Sequence, residues 1–214
     1  MAKVVMTEHK AEKLISKYIP VAKHTVVKKF NDVKLFSKKV GFPLVLKIMS
    51  PDALHKSDVG GVAIVHSAND LENEFDKLIS ISKKKKLRLE GIMVQEFVEG
   101  KYVIIGIKND ATFGHVIMFG LGGIFVEIMK DVSFRACPIN IEDAQQMIDE
   151  LKGKAILYGA RGEKPLNVKL LKDILVKASK IPSKHPKIEE LDINPFVIND
   201  KIGKVVDARI VMTK

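Results

Sequence analysis

The segment from Phe42 to Val62 carries several residue types that can bind phosphate. An apolar run, Leu44 to Leu46, ends on Lys47, and a His55-Lys-Ser-Asp58 cluster precedes Gly60-Gly61. Glycines let backbone N–H groups approach a ligand closely, and lysines supply positive charge. The pattern predicts strand, loop and strand, with either a phosphate-binding loop or a plain hairpin with a glycine turn. Neither the P-loop nor the dinucleotide-binding glycine motif is present.

A second group of polar residues lies near the C-terminus. Asp192 and Asn194 alternate along one predicted strand and therefore share a face. If the following turn centres near Asp200-Lys201, Asn194 lies opposite Asp207; Gly203 favours a longer or bulged loop, in which the register would shift by one. An amide oxygen beside a carboxylate suits Mg²⁺, which takes few protein ligands. The alternative is a polar pair on the solvent face of an antiparallel sheet.

Further candidate residues flank the predicted strands. The cluster Gly120-Leu-Gly-Gly123 is either an anion-binding nest or a tight bend. Glu127 and Asp131 are either carboxylates near a metal or members of a solvated strand edge. Glu96 and Glu99 are placed to accept hydrogen bonds from ribose hydroxyls, or they are exposed loop acids.

These residue types together predict a nucleotide site, because phosphoryl transfer depends mainly on positioning and charge neutralisation. His55 is the candidate nucleophile, since a neutral imidazole nitrogen can accept a phosphoryl group. No Ser/His/Asp order and no zinc-ligand spacing competes with this interpretation. Arginine is scarce, which makes each one a candidate phosphate ligand: Arg88, Arg135, Arg161 and Arg209.

The composition is that of a globular chain of one large or two small domains: 214 residues, 46% hydrophobic and 29% charged. No apolar run reaches the roughly 18 residues of a membrane span, and no signal peptide is recognisable. The single cysteine, Cys137, excludes a disulfide framework and favours the cytoplasm. The net charge of +10 is spread along the chain without interleaved aromatic residues, which argues against a nucleic-acid partner.

The order of predicted elements favours an α+β fold with largely antiparallel sheets. The boundary between two halves is expected at Val98 to Lys101. Helices are predicted at 7–18, 31–40, 67–84, 141–152 and 168–180. Strands are predicted at 24–27, 44–48, 62–66, 91–98, 102–108, 113–119, 124–129, 133–138, 189–198 and 205–212. Residues 159–162 are predicted to form a loop.

Several motifs, in order along nearly the whole chain, resemble the ATP-grasp β subunit of ADP-forming acetyl-CoA (acyl-CoA) synthetase, a relative of the succinyl-CoA synthetase β subunit. The resemblance implies an ATP-grasp fold, in which two α+β subdomains clamp a nucleotide. The expected segments are 1–22 (helical), 23–98 (N-terminal subdomain) and 99–214 (C-terminal subdomain). The matching motifs are Pro43-Leu-Val-Leu-Lys47, Leu54-His-Lys-Ser-Asp58, Phe113-Gly-His115, Phe119-Gly-Leu-Gly-Gly-Ile-Phe-Val-Glu127, Asp131-Val-Ser-Phe-Arg135, Gly159-Ala-Arg-Gly162 and Asp192-Ile-Asn-Pro195.

The resemblance also implies the reaction acyl-CoA + ADP + phosphate ⇌ carboxylic acid + ATP + CoA. A separate CoA-binding α subunit would supply a first phosphohistidine, in a hetero-oligomer of the α2β2 type. The implied residue roles are as follows: His55 as second phosphohistidine; Arg135 and Arg161 neutralising phosphate; Lys47, Lys56, Ser57, Gly60 and Gly61 at the nucleotide phosphates; Glu96, Phe97 and Val98 at the adenine; Glu99 at the ribose; Asn194 and Asp207 holding Mg²⁺.

One residue departs from the family pattern. Tyr102 stands in Gly100-Lys-Tyr-Val-Ile-Ile-Gly106 where relatives usually carry a glutamate. Two other functions remain open at this point: a stand-alone ATP-grasp carboxylate ligase, and a non-catalytic basic protein that binds nucleotide or nucleic acid. Neither the preferred acid nor the choice between ADP and GDP follows from the residues.

Overall fold

The computed structural model describes residues 2–53, 56, 59–123 and 129–214, with Arg161 described by its backbone alone. His55, Ser57 and Glu127 lie outside the described residues. The chain forms two compact units, one of Ala22–Phe97 and one that combines Met1–Val21 with Val98–Lys214. No helix in the described ranges has the length and hydrophobicity to cross a membrane.

The elements confirm an α+β fold. The helices are α1 (Glu8–Ile15), α2 (Phe30–Val40), α3 (Leu71–Lys84), α4 (Ile141–Asp149), α5 (Val168–Ser179) and α6 (Ile181–Lys184). The strands are β1 (Lys3–Val5), β2 (His24–Val27), β3 (Leu44–Met49), β4 (Val62–Val65), β5 (Gly91–Glu96), β6 (Lys101–Asp110), β7 (Gly114–Leu121), β8 (Val132–Ala136), β9 (Ile188–Ile198), β10 (Gly203–Val205) and β11 (Ala208–Thr213).

The unit Ala22–Phe97 holds an antiparallel sheet in the order β2-β5-β3-β4. Leu44, Leu46 and Ile48 of the inner strand β3 are fully buried. They belong to one core with Phe75 and Leu78 of α3. Burial of these side chains stabilises the sheet and fixes the direction in which β3 presents its remaining residues.

The larger unit holds a seven-stranded sheet in the order β1-β11-β9-β6-β7-β8, with β10 paired to β9. Alternate residues such as Ile105 and Ile193 are fully buried and share a core with residues of α4 and α5. Because side chains alternate across a strand, the intervening residues share the opposite face. Asp192 pairs with Gly106 on β6 and with Arg209 on β11, so these three form one row across that face.

The predicted elements agree with the structure to within a few residues, with three differences. The strand predicted at 205–212 is divided into β10 and β11. The helix predicted from residue 67 begins at Leu71, with Asp70 at the N-cap position. The Ser67 hydroxyl donates to the Asp70 carboxylate at 2.6 Å. Residues 160–162, predicted as loop, form a short 3₁₀ helix. The strand predicted at 124–129 falls almost wholly outside the described residues.

Candidate functional site

Lys47 lies in the middle of a sheet. It pairs with Val62 on β4 and with Met93 on β5, and only 6% of it is exposed. A buried ammonium group is costly unless polar or charged groups surround it. Lys47 was predicted at the end of an apolar strand, but it lies inside β3, which continues to Met49, and strands on both sides fix its backbone.

The two glycines after the polar cluster build a turn. The Gly61 N–H donates to the Lys56 carbonyl at 2.7 Å, and the Gly61 carbonyl accepts from Ile48 N–H at 2.8 Å. Gly60 has a φ of +68°, a conformation that favours glycine. A Cβ on Gly61 would lie 3.0 Å from the Lys56 carbonyl oxygen. The N–H of Gly61 is thus used within the turn, so a phosphate on this loop would need other donors.

The exit of β5 is held by backbone and side-chain hydrogen bonds. The Glu96 carboxylate accepts from Lys23 N–H at 2.7 Å, and Glu96 N–H donates to the Lys23 carbonyl at 2.9 Å. Phe97 N–H donates to Pro43 O at 3.3 Å. The Glu96 side chain is therefore engaged with the backbone of its own unit, while Phe97 is half-buried and Val98 is buried.

Asn194 and Asp207 meet across the C-terminal hairpin as the turn position predicted. The β9–β10 pairs run from Gly203 opposite Ile198 onward, and Asn194 N–H donates to the Asp207 carbonyl at 3.1 Å. Asn194 is exposed and Asp207 is half-buried. Their amide and carboxylate oxygens are the hard donors that Mg²⁺ prefers, so this pair fits a magnesium ion that completes its shell with phosphate and water.

The neighbouring carboxylate, Asp192, is affected by its surroundings. Burial raises the pKa of Asp192, whereas the positive charge of Arg209 lowers it. The Arg209 guanidinium itself donates to Glu190 at 3.2 Å rather than to its cross-strand neighbour. The row beside the Asn194–Asp207 pair thus holds one carboxylate and one guanidinium, and Glu190 of the next row shares that guanidinium.

Arg135 already has a carboxylate partner. Its guanidinium donates to both oxygens of Glu150 on the segment after α4, with one bond at 3.0 Å. This pair lowers the pKa of Glu150 and raises that of Arg135. The phosphate-neutralising role predicted for Arg135 would thus require a phosphate to compete with Glu150. The backbone of Arg161 lies in the 3₁₀ helix Ala160–Gly162.

Asp131 and Gly122, two further candidate site residues, make structural contacts within the larger unit. Asp131 is buried, and its carboxylate accepts from the N–H groups of Lys152 at 2.9 Å and Gly153 at 2.8 Å. Asp131 therefore anchors a loop, and its interpretation as part of a solvated strand edge was wrong, whereas a place near a metal stays a prediction. Gly122 N–H donates to Tyr102 O at 2.7 Å, and a Cβ on Gly122 would lie 2.8 Å from the Tyr102 Cβ. That glycine serves close packing.

A cavity of about 600 Å³ opens beside the start of β6 and the end of β7. Tyr102, 53% exposed, and Gly122 line it together with Leu121, Ile156 and Ala160. Its size is that of a small-molecule site.

The sequence-based search overlooked two contacts. The Lys101 ammonium forms an ion pair with Glu163 at 2.7 Å, and the Asn199 amide donates to the Glu99 carbonyl at 2.8 Å. Both join residues more than sixty positions apart. No local sequence pattern predicts a contact between residues so far apart. Within the described ranges, no three His, Cys, Asp or Glu residues group as a metal site.

Comparison with known proteins agrees with this fold. The chain matches the ATP-grasp domain family over residues 2–212. It is 41% identical over 212 residues to the β subunit of ADP-forming acetate–CoA ligase I from Pyrococcus furiosus, covering 97% of this chain and 91% of that subunit. It is 42% identical over 197 residues to ADP-forming acetate–CoA ligase I from Archaeoglobus fulgidus, covering 91% of this chain but only 29% of that protein.

A solved structure has the same architecture. Acetyl-coenzyme A synthetase 1 from Ca. Korarchaeum cryptofilum, in complex with coenzyme A and Ca-AMPCP, superposes with a TM-score of 0.94 at 42% identity. The match covers 98% of this chain and 93% of the other. The chain therefore belongs to the ATP-grasp domain family, and within it to the group that contains the β subunits of ADP-forming acetate–CoA ligases.

Proposed function

We propose that this chain is the nucleotide-binding β subunit of an ADP-forming acid–CoA ligase. The observation that carries the proposal is its 41% identity to the Pyrococcus furiosus β subunit, of which it spans 91%. The reaction would be acyl-CoA + ADP + phosphate ⇌ carboxylic acid + ATP + CoA. Longer relatives, of which this chain spans about 30%, are named for the same class of activity.

The nucleotide phosphates would bind at the first hairpin. Lys47, held by strands on both sides, would supply positive charge, and Lys56, Ser57 and the Gly60-Gly61 turn would lie along the phosphates. Since Gly61 N–H is used within the turn, charge from lysine is expected to contribute more than that amide does.

The base and ribose would contact the segment that follows β5. Glu96, Phe97 and Val98 would contact the adenine, mainly through the backbone and the apolar side chains, because the Glu96 carboxylate is engaged with Lys23. Glu99, whose side chain is exposed, would accept hydrogen bonds from the ribose hydroxyls.

Asn194 and Asp207 would hold Mg²⁺ through their side-chain oxygens. When bound, the ion would neutralise negative charge on the nucleotide phosphates. The hairpin's contribution is to fix the spacing of the two ligands, which their cross-strand position supports.

His55 would relay the phosphoryl group. In the direction of ATP synthesis, a terminal phosphate oxygen of ADP attacks phosphorus, the P–O bond forms, and the P–N bond to the imidazole breaks with its electron pair returning to nitrogen. Arg161, and Arg135 once released from Glu150, would stabilise the charge on the transferring group.

The partner would be a CoA-binding α subunit that carries the first phosphohistidine, in an assembly of the α2β2 type. Two relatives are themselves named β subunits, which supports an α partner for this chain. We also propose a cytoplasmic location, because a chain with a single cysteine cannot form an internal disulfide framework.

Phosphorylation with γ-labelled ATP and Mg²⁺ tests the relay. We expect the wild type to incorporate label that is stable to base and labile to acid, and His55→Ala to incorporate none. His115→Ala is the matched control, since the His115 ring bonds to the Ile188 carbonyl at 2.7 Å and has a structural position. Label retained by His55→Ala would contradict the assignment, whatever the His115→Ala variant does.

A further inference from the structure

Asn199, at the tip of the β9–β10 hairpin, makes more hydrogen bonds than a turn requires. Its backbone N–H donates to the Ile202 carbonyl at 2.9 Å. Its side-chain oxygen accepts from the N–H groups of Lys201 and Ile202, both at 2.9 Å. These three bonds close the turn in the manner usual for asparagine. The two remaining polar groups of Asn199 bind residues outside the turn.

Those two groups reach distant parts of the same unit. The side-chain amide donates to the Glu99 carbonyl at 2.8 Å, across 100 positions of sequence. The Asn199 carbonyl accepts from Asn167 N–H at 2.9 Å. Asn167 in turn caps α5 by accepting from Leu170 N–H at 2.9 Å. Asn199 therefore joins the hairpin, the start of α5 and the connection that enters β6.

The connection held by Asn199 has little room to shift. Gly100 packs so closely on the end of β9 that a Cβ there would lie 2.4 Å from the Ile198 carbonyl oxygen. Lys101 then pairs with Ile198 in the sheet. The backbone at Glu99 is thus fixed by its carbonyl on one side and by Gly100 on the other, while the Glu99 side chain is exposed. The exposed Glu99 side chain therefore extends from a backbone whose position is fixed.

We propose that Asn199 is a positioning residue for nucleotide binding, which holds the Glu99 carbonyl so that the Glu99 carboxylate faces the ribose hydroxyls. The inference rests on the proposed function, in which Glu99 contacts the ribose. A preorganised acceptor loses less conformational freedom on binding than a mobile one, so its affinity is higher. Asn194 lies on β9, five residues before Asn199 at the hairpin tip, so one hairpin would support both the metal and the ribose contacts.

Asn199→Asp isolates the bond to Glu99. Aspartate has the same shape and keeps the oxygen that closes the turn, but it replaces the amide donor with an acceptor facing the Glu99 carbonyl. Measured on the full chain by calorimetry, the Kd for Mg·ADP is expected to rise about five- to tenfold, the effect of one lost hydrogen bond. Asn167→Asp is the matched control: it introduces the same charge and keeps the α5 cap, so its Kd should stay within about twofold.

A double-mutant cycle distinguishes positioning from general stabilisation. In a Glu99→Ala background the carboxylate is gone, so Asn199→Asp should change the Kd by less than about twofold. An equal loss of affinity in both backgrounds would overturn the proposal, as would wild-type affinity in Asn199→Asp. If the aspartate variant does not fold, Asn199→Ser serves instead, because its hydroxyl can close the turn but cannot reach Glu99.

The failure of the proposed function would look different. A wild-type chain that does not bind Mg·ADP at all would contradict the nucleotide site itself, and with it the role of Asn199. A wild type that binds, together with an unaffected Asn199→Asp variant, would contradict only the role of Asn199.

Discussion

Two hairpins carry most of the proposed nucleotide-binding residues, and they differ in what fixes those residues. In the β3–β4 hairpin the ladder runs from Leu44 opposite Val65 to Lys47 opposite Val62, and the chain then enters a longer turn. In the β9–β10 hairpin the ladder continues almost to the turn, and Asn194 and Asp207 are joined through their backbones. Residues in a ladder have positions set by register, whereas residues in a long turn depend on hydrogen bonds particular to that turn.

The difference has a chemical consequence. Lys47, Asn194 and Asp207 have backbones that neighbouring strands hold, so they suit roles that need a fixed charge or ligand. The Lys56–Gly61 turn instead uses one of its own N–H groups to close. It therefore depends less on amide donors and more on side chains for any contact with phosphate.

The largest effect is expected at Lys47. Lys47→Met keeps most of the side-chain volume in the sheet but removes the charge, so the Kd for Mg·ADP should rise about 100-fold, the effect of one lost charge-assisted hydrogen bond network. Calorimetry on the full chain measures this change. Lys108→Met, an exposed lysine on another ladder, should leave the Kd within about twofold. Equal affinities of the Lys47 variant and the wild type for Mg·ADP would show that Lys47 does not bind the nucleotide.

The next effect is expected at the metal pair. Asp207→Asn retains an oxygen but loses the negative charge, so the Mg²⁺ concentration that gives half-maximal ADP binding should rise about 20-fold. A titration of Mg²⁺ at constant ADP measures it. Asp200→Asn, in the turn of the same hairpin, is the charge-matched control and should leave that concentration unchanged. If the two variants respond alike, the Asn194–Asp207 site is wrong.

Alanine at one glycine of each hairpin tests how rigid the two hairpins are. A Cβ on Gly203 would lie 2.7 Å from the ring of the fully buried Phe196, so Gly203→Ala should lower the free energy of unfolding by about 2 kcal/mol. A Cβ on Gly61 would lie 3.0 Å from the Lys56 carbonyl, and Gly61→Ala should cost about 1 kcal/mol. Denaturant unfolding measures both values. The reverse order would mean that the first hairpin is the more rigid one.

The smallest effect is expected at Tyr102, which pairs with Val197 of the second hairpin. Tyr102→Glu introduces the glutamate that the family resemblance implies at this position and places a hydrogen-bond acceptor in the 600 Å³ cavity, so the Kd for Mg·ADP should fall about threefold. Tyr102→Phe removes only the hydroxyl and should leave the Kd within about twofold. Weaker ADP binding by the glutamate variant would contradict this prediction and would show that Tyr102 itself contributes to ADP affinity.

Features of the fold that depend on residues close in sequence could be predicted, and features that depend on residues distant in sequence could not. The strand register of the β9–β10 hairpin could be predicted by counting residues from the turn. The turn at Asp200-Lys201 and a side-chain period of two determine which residues face each other. The helices were recognisable because apolar residues recur at helical spacing. Asp131, in contrast, is buried by a loop some twenty residues away, and nothing near it in sequence distinguishes it from a solvated acid.

Parts of the candidate site were beyond prediction for the same reason. The Asn199–Glu99 bond joins positions 100 apart, and the Arg135–Glu150 pair depends on where α4 ends. In sequence, Asn199 looks like an ordinary turn residue, which it also is. Its second role becomes visible only when the strand order β9-β6 brings the hairpin beside the start of β6.

The pairing of β1 with β11 brings the first and last residues of the larger unit close together. Lys3 lies opposite Thr213, and Lys214 N–H donates to the Ala2 carbonyl at 3.0 Å, so both ends emerge at one edge of the sheet. In sequence, residues Ala22–Phe97 are inserted between the two segments that form the larger unit. A linker of about four residues should join the ends, and a permutant opened at the exposed Asp110–Phe113 turn should retain the fold.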